Sequence, residues 1–431
     1  MSFNQYTWDL YKQTTIGIEM IKYFSDAGGY VLFKDYCPYA NFIPEDLYND
    51  WLENIYCYGV SDYDHPSSLE EAKDLYISLI TLGIRVEGQQ WLPANDFKNM
   101  LEIIQPMSYV LSQFAPEYFF PYLFLCRIFE LNKIADFFNI DLPNIPKRTD
   151  YKGRCMYYWE LCEVFYLFRK ENGLSPADLW SFLYDFAPNN LPSEKIDMPK
   201  PSQVWFIGGR LYQEDKSLES KFWQSSPETK KGDILVHYET SPISAITCIE
   251  ISLTDGVIDP LFRYYGCIYI GNRINIPHIT LKELQTDEYF FKHPLVRKNF
   301  QGVNGWSVNS ENYSELLRMI KTKGFDIEVL PKLYAPTLPK DVIIEYEHDV
   351  EQQLLEPLLN SMGWYENKDF IRQLPIQAGR GHRIFPDYAL HYGNKPNEER
   401  AKVLIEAKLC MRNNKEREEA YLQARSYARL L

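Results

Sequence analysis

The stretch FPDYALHYGNKPNEERAKVLIEAK, Phe385 to Lys408, carries two apolar runs joined by a polar tongue. Both runs end in charge where a buried strand would be expected to stay apolar: Asp387 opens the first, and Glu406 and Lys408 close the second. Ionised carboxylates are costly to bury unless they are paired or bound to metal. Two acids meeting at the ends of neighbouring strands form a hard-oxygen site suited to Mg²⁺, which takes one or two carboxylates plus water and phosphate oxygens. Side chains two apart on a strand share a face, so Lys408 accompanies Glu406. An ammonium there can orient or deprotonate an attacking water and balance charge on a phosphorane.

Working outward, a helix is expected on each side. EYEHDVEQQLLEPLLNSMG, from Glu345, is amphipathic, with Val350, Leu354, Leu355, Leu358 and Leu359 on its apolar side. Strands follow around 371–377, 384–392 and 402–409, then a last helix from Lys415 to Leu431 carrying QARSY, Gln423 to Tyr427. Gln423 and Tyr427 are spaced i, i+4 and lie on one helix face; with Ala420, Ala424 and Leu431 the same stripe could also be ordinary packing. QAGRGHRIF places Arg380 and Arg383 in a glycine-containing hairpin, either holding phosphates or forming a solvated tip.

Pro386-Asp387, eighteen residues, then Glu406-Ala407-Lys408, with the QxxxY pattern of Gln423 and Tyr427 on the next helix, resembles the PD-(D/E)XK nuclease superfamily. Over about 85 residues the pattern is similar to the RecB-like branch and to the N-terminal nuclease of type I restriction motor subunits. The resemblance implies Asp387 and Glu406 as Mg²⁺ ligands (Mn²⁺ substituting), with the Ala407 carbonyl as a third. It makes Lys408 the catalytic lysine, with Gln423 and Tyr427 supporting the lysine or the scissile strand. The first-helix acid is Glu347 or Glu351, one turn apart; Glu347 is preferred because Val350 and Leu354 anchor its helix at i+3 and i+7. The family's fold adds a strand after the QxxxY helix, and the sequence ends at Leu431.

The 431 residues allow two or three domains. Two proline-rich joints, 187–202 and 330–340, divide them, since repeated proline disfavours helix and sheet alike. Residues 1–186 read as mainly helical, a scaffold or interaction domain. SPADLWSFLYDFAP opens with Ser175 as N-cap, Pro176 at the first position and Asp178 in the first turn, and SLEEAKDLYISLITLG stops at Gly83. Residues 203–329 switch to short β-branched and aromatic runs bounded by Gly, Pro and Ser, as a small barrel requires. Residues 341–431 form the third domain. The expected fold class is therefore multidomain α+β: a helical N-terminal domain, a small β-barrel and a C-terminal α/β core.

Within the middle region, Lys231-Gly232-Asp233, Ile234 to Tyr238 and Pro242 to Ile246 resemble the EVE domains of the PUA-like superfamily. That resemblance implies a reader of modified bases with aromatic walls, for which Trp205, Trp223 and Trp306 are candidates, Phe206 and Tyr238 standing behind them. For each of these aromatics, barrel core is the competing role.

Net charge is −14, but residues 1–200 hold 28 acidic and 16 basic side chains, whereas 201–330 hold 16 and 14. The acidity thus repels phosphate from the N-terminal part only. Eight scattered cysteines without a CxxC pair suit free thiols in a reducing cytoplasm. No apolar run reaches the length of a membrane helix, and the N-terminus lacks signal-peptide character. A reader coupled to a metal-dependent nuclease implies a modification-dependent restriction endonuclease in anti-phage defence, acting on double-stranded DNA as a homodimer. The acidic domain could bind a protein partner. A nuclease switched on by a small molecule, RNA or partner, or a nucleic-acid-binding module with a structural nuclease-like domain, is the alternative.

Overall fold

The computed structural model describes residues 3–87, 89–192, 198–210, 220–334, 342–379, 381–395, 399–410 and 414–431. The chain is mixed α+β and divides into two compact units: residues 1–198 with 203–330, and residues 199–202 with 331–431.

In the first unit the helices begin where local chemistry directs. Ser175 accepts from the Asp178 amide while Asp178 answers the Ser175 amide, a complete capping box with Pro176 at the first position. Ser68 caps Leu69–Leu82, and Gly83 ends it at φ +74°, a region costly for any residue with a Cβ. Helix Tyr151–Glu171 buries Cys155, Tyr157, Tyr158, Trp159, Leu161 and Phe165 in the core. A short hairpin, β1 (Ile84–Val86) and β2 (Gln89–Leu92), follows the Gly83 stop.

The same unit contains a curled, half-barrel sheet. Its strands are β3 (Val204–Gly209), β4 (Ser220–Gln224), β5 (Ile234–Glu239), β6 (Ala245–Ser252), β7 (Val257–Ile258), β8 (Gly266–Thr280) and β9 (Trp306–Val308). The order is β4-β8-β6-β5-β3-β9 with β7 beside β8; only β3 and β5 run parallel. Among the described residues the sheet is open, ending at β4 and β9. Alternation sends Trp205, Ile207, Leu235, Ile268 and Ile270 into one cluster. Tyr238, of opposite parity to Leu235, stacks on Phe300 with ring centroids 4.0 Å apart.

The sequence reading separates 1–186 from 203–329, yet these segments share a core. Phe222, Leu261, Phe262 and Cys267 belong to the same apolar cluster as the helices. Buried Arg154 donates to the carbonyls of Pro260 (2.9 Å) and Phe262 (2.7 Å), and buried Asp259 accepts from the Cys126 amide at 2.7 Å. A proline-rich sequence thus marks a change of secondary structure here, not of compact body.

The second unit has a helix from Glu347 to Ser361 whose middle turn, Glu351–Leu355, widens to π geometry. Pro357 lies just beyond that turn; it has no N–H to donate and its ring crowds the carbonyl four residues back, which a wider turn relieves. The sheet is β10 (Phe370–Arg372), β13 (Tyr388–Leu390) and β14 (Val403–Ile405), antiparallel in the order β10-β13-β14; β11 (Ile376–Gly379) and β12 (His382–Ile384) form a separate hairpin. Tyr388 and Leu390 pack with Leu359 and Phe370 on one face, and Ala389 with Leu374 and Ile376 on the other. Helix Asn414–Ala428 completes the unit.

Candidate active site

Tyr388 pairs with Ile405 across β13 and β14. Asp387 and Glu406, each one residue beyond that pair, therefore leave the sheet at the same end. The Ala407 amide donates to Asp387 Oδ2 at 2.6 Å, which ties the loop after β14 to the start of β13. Lys408 Nζ lies 3.3 Å from Glu406 Oε1 and 3.3 Å from Glu347 Oε1. Gln423 donates to Glu406 Oε1, and its amide nitrogen is 3.1 Å from the Tyr427 hydroxyl. Asp387, Glu406, Lys408, Glu347, Gln423 and Tyr427 thus form one connected network drawn from a sheet end and two helices.

Glu351, the other first-helix acid, is buried and reaches Arg372 at 3.4 Å, while Arg372 also meets Glu356 at 2.9 Å. Arg372 was not evident from the sequence, because its place opposite Tyr388, beside Asp387, depends on the β10–β13 register. Both helix acids therefore border the site, Glu347 through Lys408 and Glu351 through the field of Asp387.

Burial pushes the Glu406 carboxyl up and the charge of Asp387 adds to it; Lys408 pulls the other way without cancelling them. Burial, then Asp387, likewise raises Glu351 against the pull of Arg372. Burial works to lower the Lys408 ammonium, but Glu347 and Glu406 overcome it and hold the group above its ordinary value. Lys408 is therefore held as a cation, suited to balancing charge and orienting a water more than to abstracting a proton.

The residues fit a divalent cation. Glu406 Oε2 is buried without a hydrogen-bond partner among the described residues. Five carboxylates (Glu347, Glu351, Glu356, Asp387, Glu406) meet two cations (Lys408, Arg372), leaving three negative charges formally unbalanced. Asp387 and Glu406 supply the hard oxygens Mg²⁺ prefers. Arg383, on β12, is exposed, and Arg380 lies outside the described residues.

The three tryptophans do not share a pocket. Trp205 is buried, its indole donating to Asp233 Oδ2 at 2.9 Å, so it is part of the sheet core. Trp306 pairs with Phe206 and stands near His293, on the face opposite Trp205. Trp223 lines a cavity of about 370 Å³ with Gly208, Gln224, Phe262, Tyr264 and Asn304, and its indole is 3.3 Å from Asn304 Oδ1. A Cβ on Gly209 would fall 2.5 Å from the Trp223 ring, so glycine lets that ring lie against β3.

No helix among the described residues is long and apolar enough to cross a membrane. No known family's sequence profile matches the chain, and no curated protein matches it. Two solved structures are similar over part of it. An NMR structure of Rpa0253 from Rhodopseudomonas palustris has 13% identity, covering 28% of this chain and 94% of its own, with a TM-score of 0.25. A hypothetical protein from Leishmania major has 11% identity, covering 29% and 98%, with a TM-score of 0.24.

Proposed function

We propose that this chain is a Mg²⁺-dependent DNA endonuclease that restricts DNA carrying modified bases, with a PD-(D/E)XK-type core in residues 341–431 and an EVE-like, PUA-like reader in the sheet of residues 203–329. One observation carries the nuclease reading: Asp387, Glu406, Lys408 and Gln423 join in a single network at the end of β13 and β14.

In this reading Asp387 and Glu406 hold the cation, which when bound supplies positive charge at the scissile phosphate and acidifies a nearby water. Gln423 fixes the Glu406 carboxylate, and Asp387 is fixed by the Ala407 amide. Lys408, kept charged by two glutamates, orients the incoming water and offsets the charge that builds on phosphorus as the new P–O bond forms and the ester P–O bond breaks. One such site cuts one strand, so double-strand cleavage calls for a homodimer.

The reader assignment is supported by the cavity beside Trp223, where an extruded base could stack on the indole with a gain of about 1–3 kcal/mol. The test is cleavage, with Mg²⁺, of modified DNA and unmodified DNA of the same sequence. Cutting of modified DNA alone, abolished in Asp387→Ala, is the expected result. Equal cutting of both removes modification dependence; absence of cutting in both, with the parent matching Asp387→Ala, removes the nuclease.

A further inference from the structure

On the sheet of the first unit, three polar residues interrupt an apolar face. Trp205 pairs with Leu235 and Ile207 with His237 across β3 and β5, and across β5 and β6 Leu235 pairs with Glu250 and His237 with Cys248. Paired residues share a face, so His237, Cys248 and Glu250 sit in the layer of Trp205, Ile207 and Leu235. His237 and Cys248 are fully buried and Glu250 is 2% exposed. One ligating atom from each, an imidazole nitrogen, a thiol sulfur and a carboxylate oxygen, lies within 4.8 Å of the other two.

The surroundings match those of a metal ligand set. His237 Nδ1 and Glu250 Oε2 face one another at 3.0 Å, while the second Glu250 oxygen is held by Arg273 at 2.8 Å. An outer partner of this kind fixes a ligating carboxylate and leaves its inner oxygen free to bind. The other imidazole nitrogen, Nε2, is buried with no hydrogen-bond partner among the described residues, and the Trp223 ring stands beside the imidazole with centroids 4.7 Å apart. Cys248 Sγ receives a 4.0 Å contact from the Thr247 hydroxyl. Burial favours the neutral Glu250 carboxyl, but His237 and Arg273 outweigh it and hold the group below its ordinary value. Burial pushes the Cys248 thiol up to about 12, so ligation must displace its proton.

We propose that His237, Cys248 and Glu250 form a zinc site. A mixed sulfur, nitrogen and oxygen set on a rigid pair of strands suits Zn²⁺, and three protein ligands leave a fourth position for water. The ion binds His237 through an imidazole nitrogen and Glu250 through a carboxylate oxygen, and Cys248 binds as thiolate. Arg273 offsets part of the anionic charge and orients Glu250. The site lies in the first unit and is independent of the nuclease reading.

The test uses the full chain, chelator-stripped and reloaded with Co²⁺ as a spectroscopic stand-in, with zinc content measured separately on protein purified without chelator. The expected results are thiolate-to-cobalt charge transfer with tetrahedral d–d bands, and one zinc bound per chain. Both signals should be lost in Cys248→Ser. Exposed Cys57 and Cys410 give a control: Cys57→Ser with Cys410→Ser should leave the absorption unchanged. If folded parent protein shows no thiolate charge transfer, or if Cys248→Ser retains the parent's spectrum and zinc, the trio is a metal-free hydrogen-bonded cluster and the proposal is overturned. Because the parent spectrum alone can overturn it, misfolding of a variant does not protect the proposal.

Discussion

The backbone amide of Ala407 donates to the carboxylate of Asp387 at 2.6 Å, so the residue between Glu406 and Lys408 positions the acid on the facing strand. Asp387→Asn keeps the shape and an acceptor for that amide but removes the charge. Cleavage of a modified-DNA substrate should fall below detection in Asp387→Asn while the melting temperature stays close to the parent's. Retained cleavage would exclude Asp387 as a cation ligand. Gln423→Ala, which frees Glu406 and the Tyr427 hydroxyl, should cost about 10–100-fold, the scale for groups supporting a metal ligand.

Lys408 acts as a held cation. Lys408→Ala should lower kcat by about 10²–10⁴-fold, the usual range for a group that positions or exchanges protons in the transition state, with KM for DNA changing much less. Glu347→Gln removes one of the two carboxylates that keep Lys408 charged. Its pH–rate profile should therefore shift its basic limb to lower pH. An unmoved limb would show that Glu347 only borders the site.

Glu406 sets a pH dependence whose sign is fixed. Its folded carboxyl is raised by burial and by Asp387, whereas unfolded glutamate ionises near pH ~4.3. The stability it contributes is present below that value and is lost as pH rises through the raised folded value. A cation binding Asp387 and Glu406 offsets the repulsion only when both are ionised. The stabilisation produced by Mg²⁺ should grow as pH rises through the raised Glu406 value, reaching the order of 2.7 kcal/mol at 100 times Kd. A Mg²⁺ increment that is flat through that rise would count against these two ligands.

Trp223 and Trp205 should separate binding from folding. Trp223→Ala removes a cavity wall, so affinity for modified DNA should drop by an amount corresponding to about 1–3 kcal/mol. Trp205→Ala empties a core position and orphans Asp233 Oδ2 from one donor, so it should cost stability of about 3–5 kcal/mol instead. Fluorescence anisotropy and thermal melts read the two effects. Equal binding by Trp223→Ala and the parent would remove the cavity as the reader.

What the sequence made legible was local. Ser68 and Ser175 announced their helices because a cap acts within three residues. Asp387, Glu406 and Lys408 stood out because charge at the ends of apolar strands is conspicuous, and Gln423 and Tyr427 because i, i+4 spacing defines one helix face. Contacts across register were hidden. Nothing in the string places Arg372 beside Glu351, or sends Trp306 to the face opposite Trp205, until β10 meets β13 and β3 meets β9. The union of helices and sheet was least visible, since Cys126 and Asp259 meet across 133 residues.

That union yields the last prediction. Asp259 is fully buried and accepts from the amides of Cys126 at 2.7 Å and Leu261 at 3.0 Å. Asp259→Ala leaves these two buried amides, and the Tyr122 hydroxyl 3.5 Å from the carboxylate, without their acceptor, at about 1–3 kcal/mol for each amide. Because the helices and sheet share one core, the two should unfold in a single transition that Asp259→Ala shifts to lower temperature. Burial, against those hydrogen bonds, raises the carboxyl to about 6. Unfolded aspartate ionises near pH ~3.9, so the contribution of this group is complete below that and fades as pH climbs through 6. Asp259→Asn has no such titration. The parent's melting temperature relative to Asp259→Asn should therefore decline between pH 4 and pH 7. A difference that stays constant over that interval, or separate melting of helices and sheet, would show that Asp259 does not govern the junction.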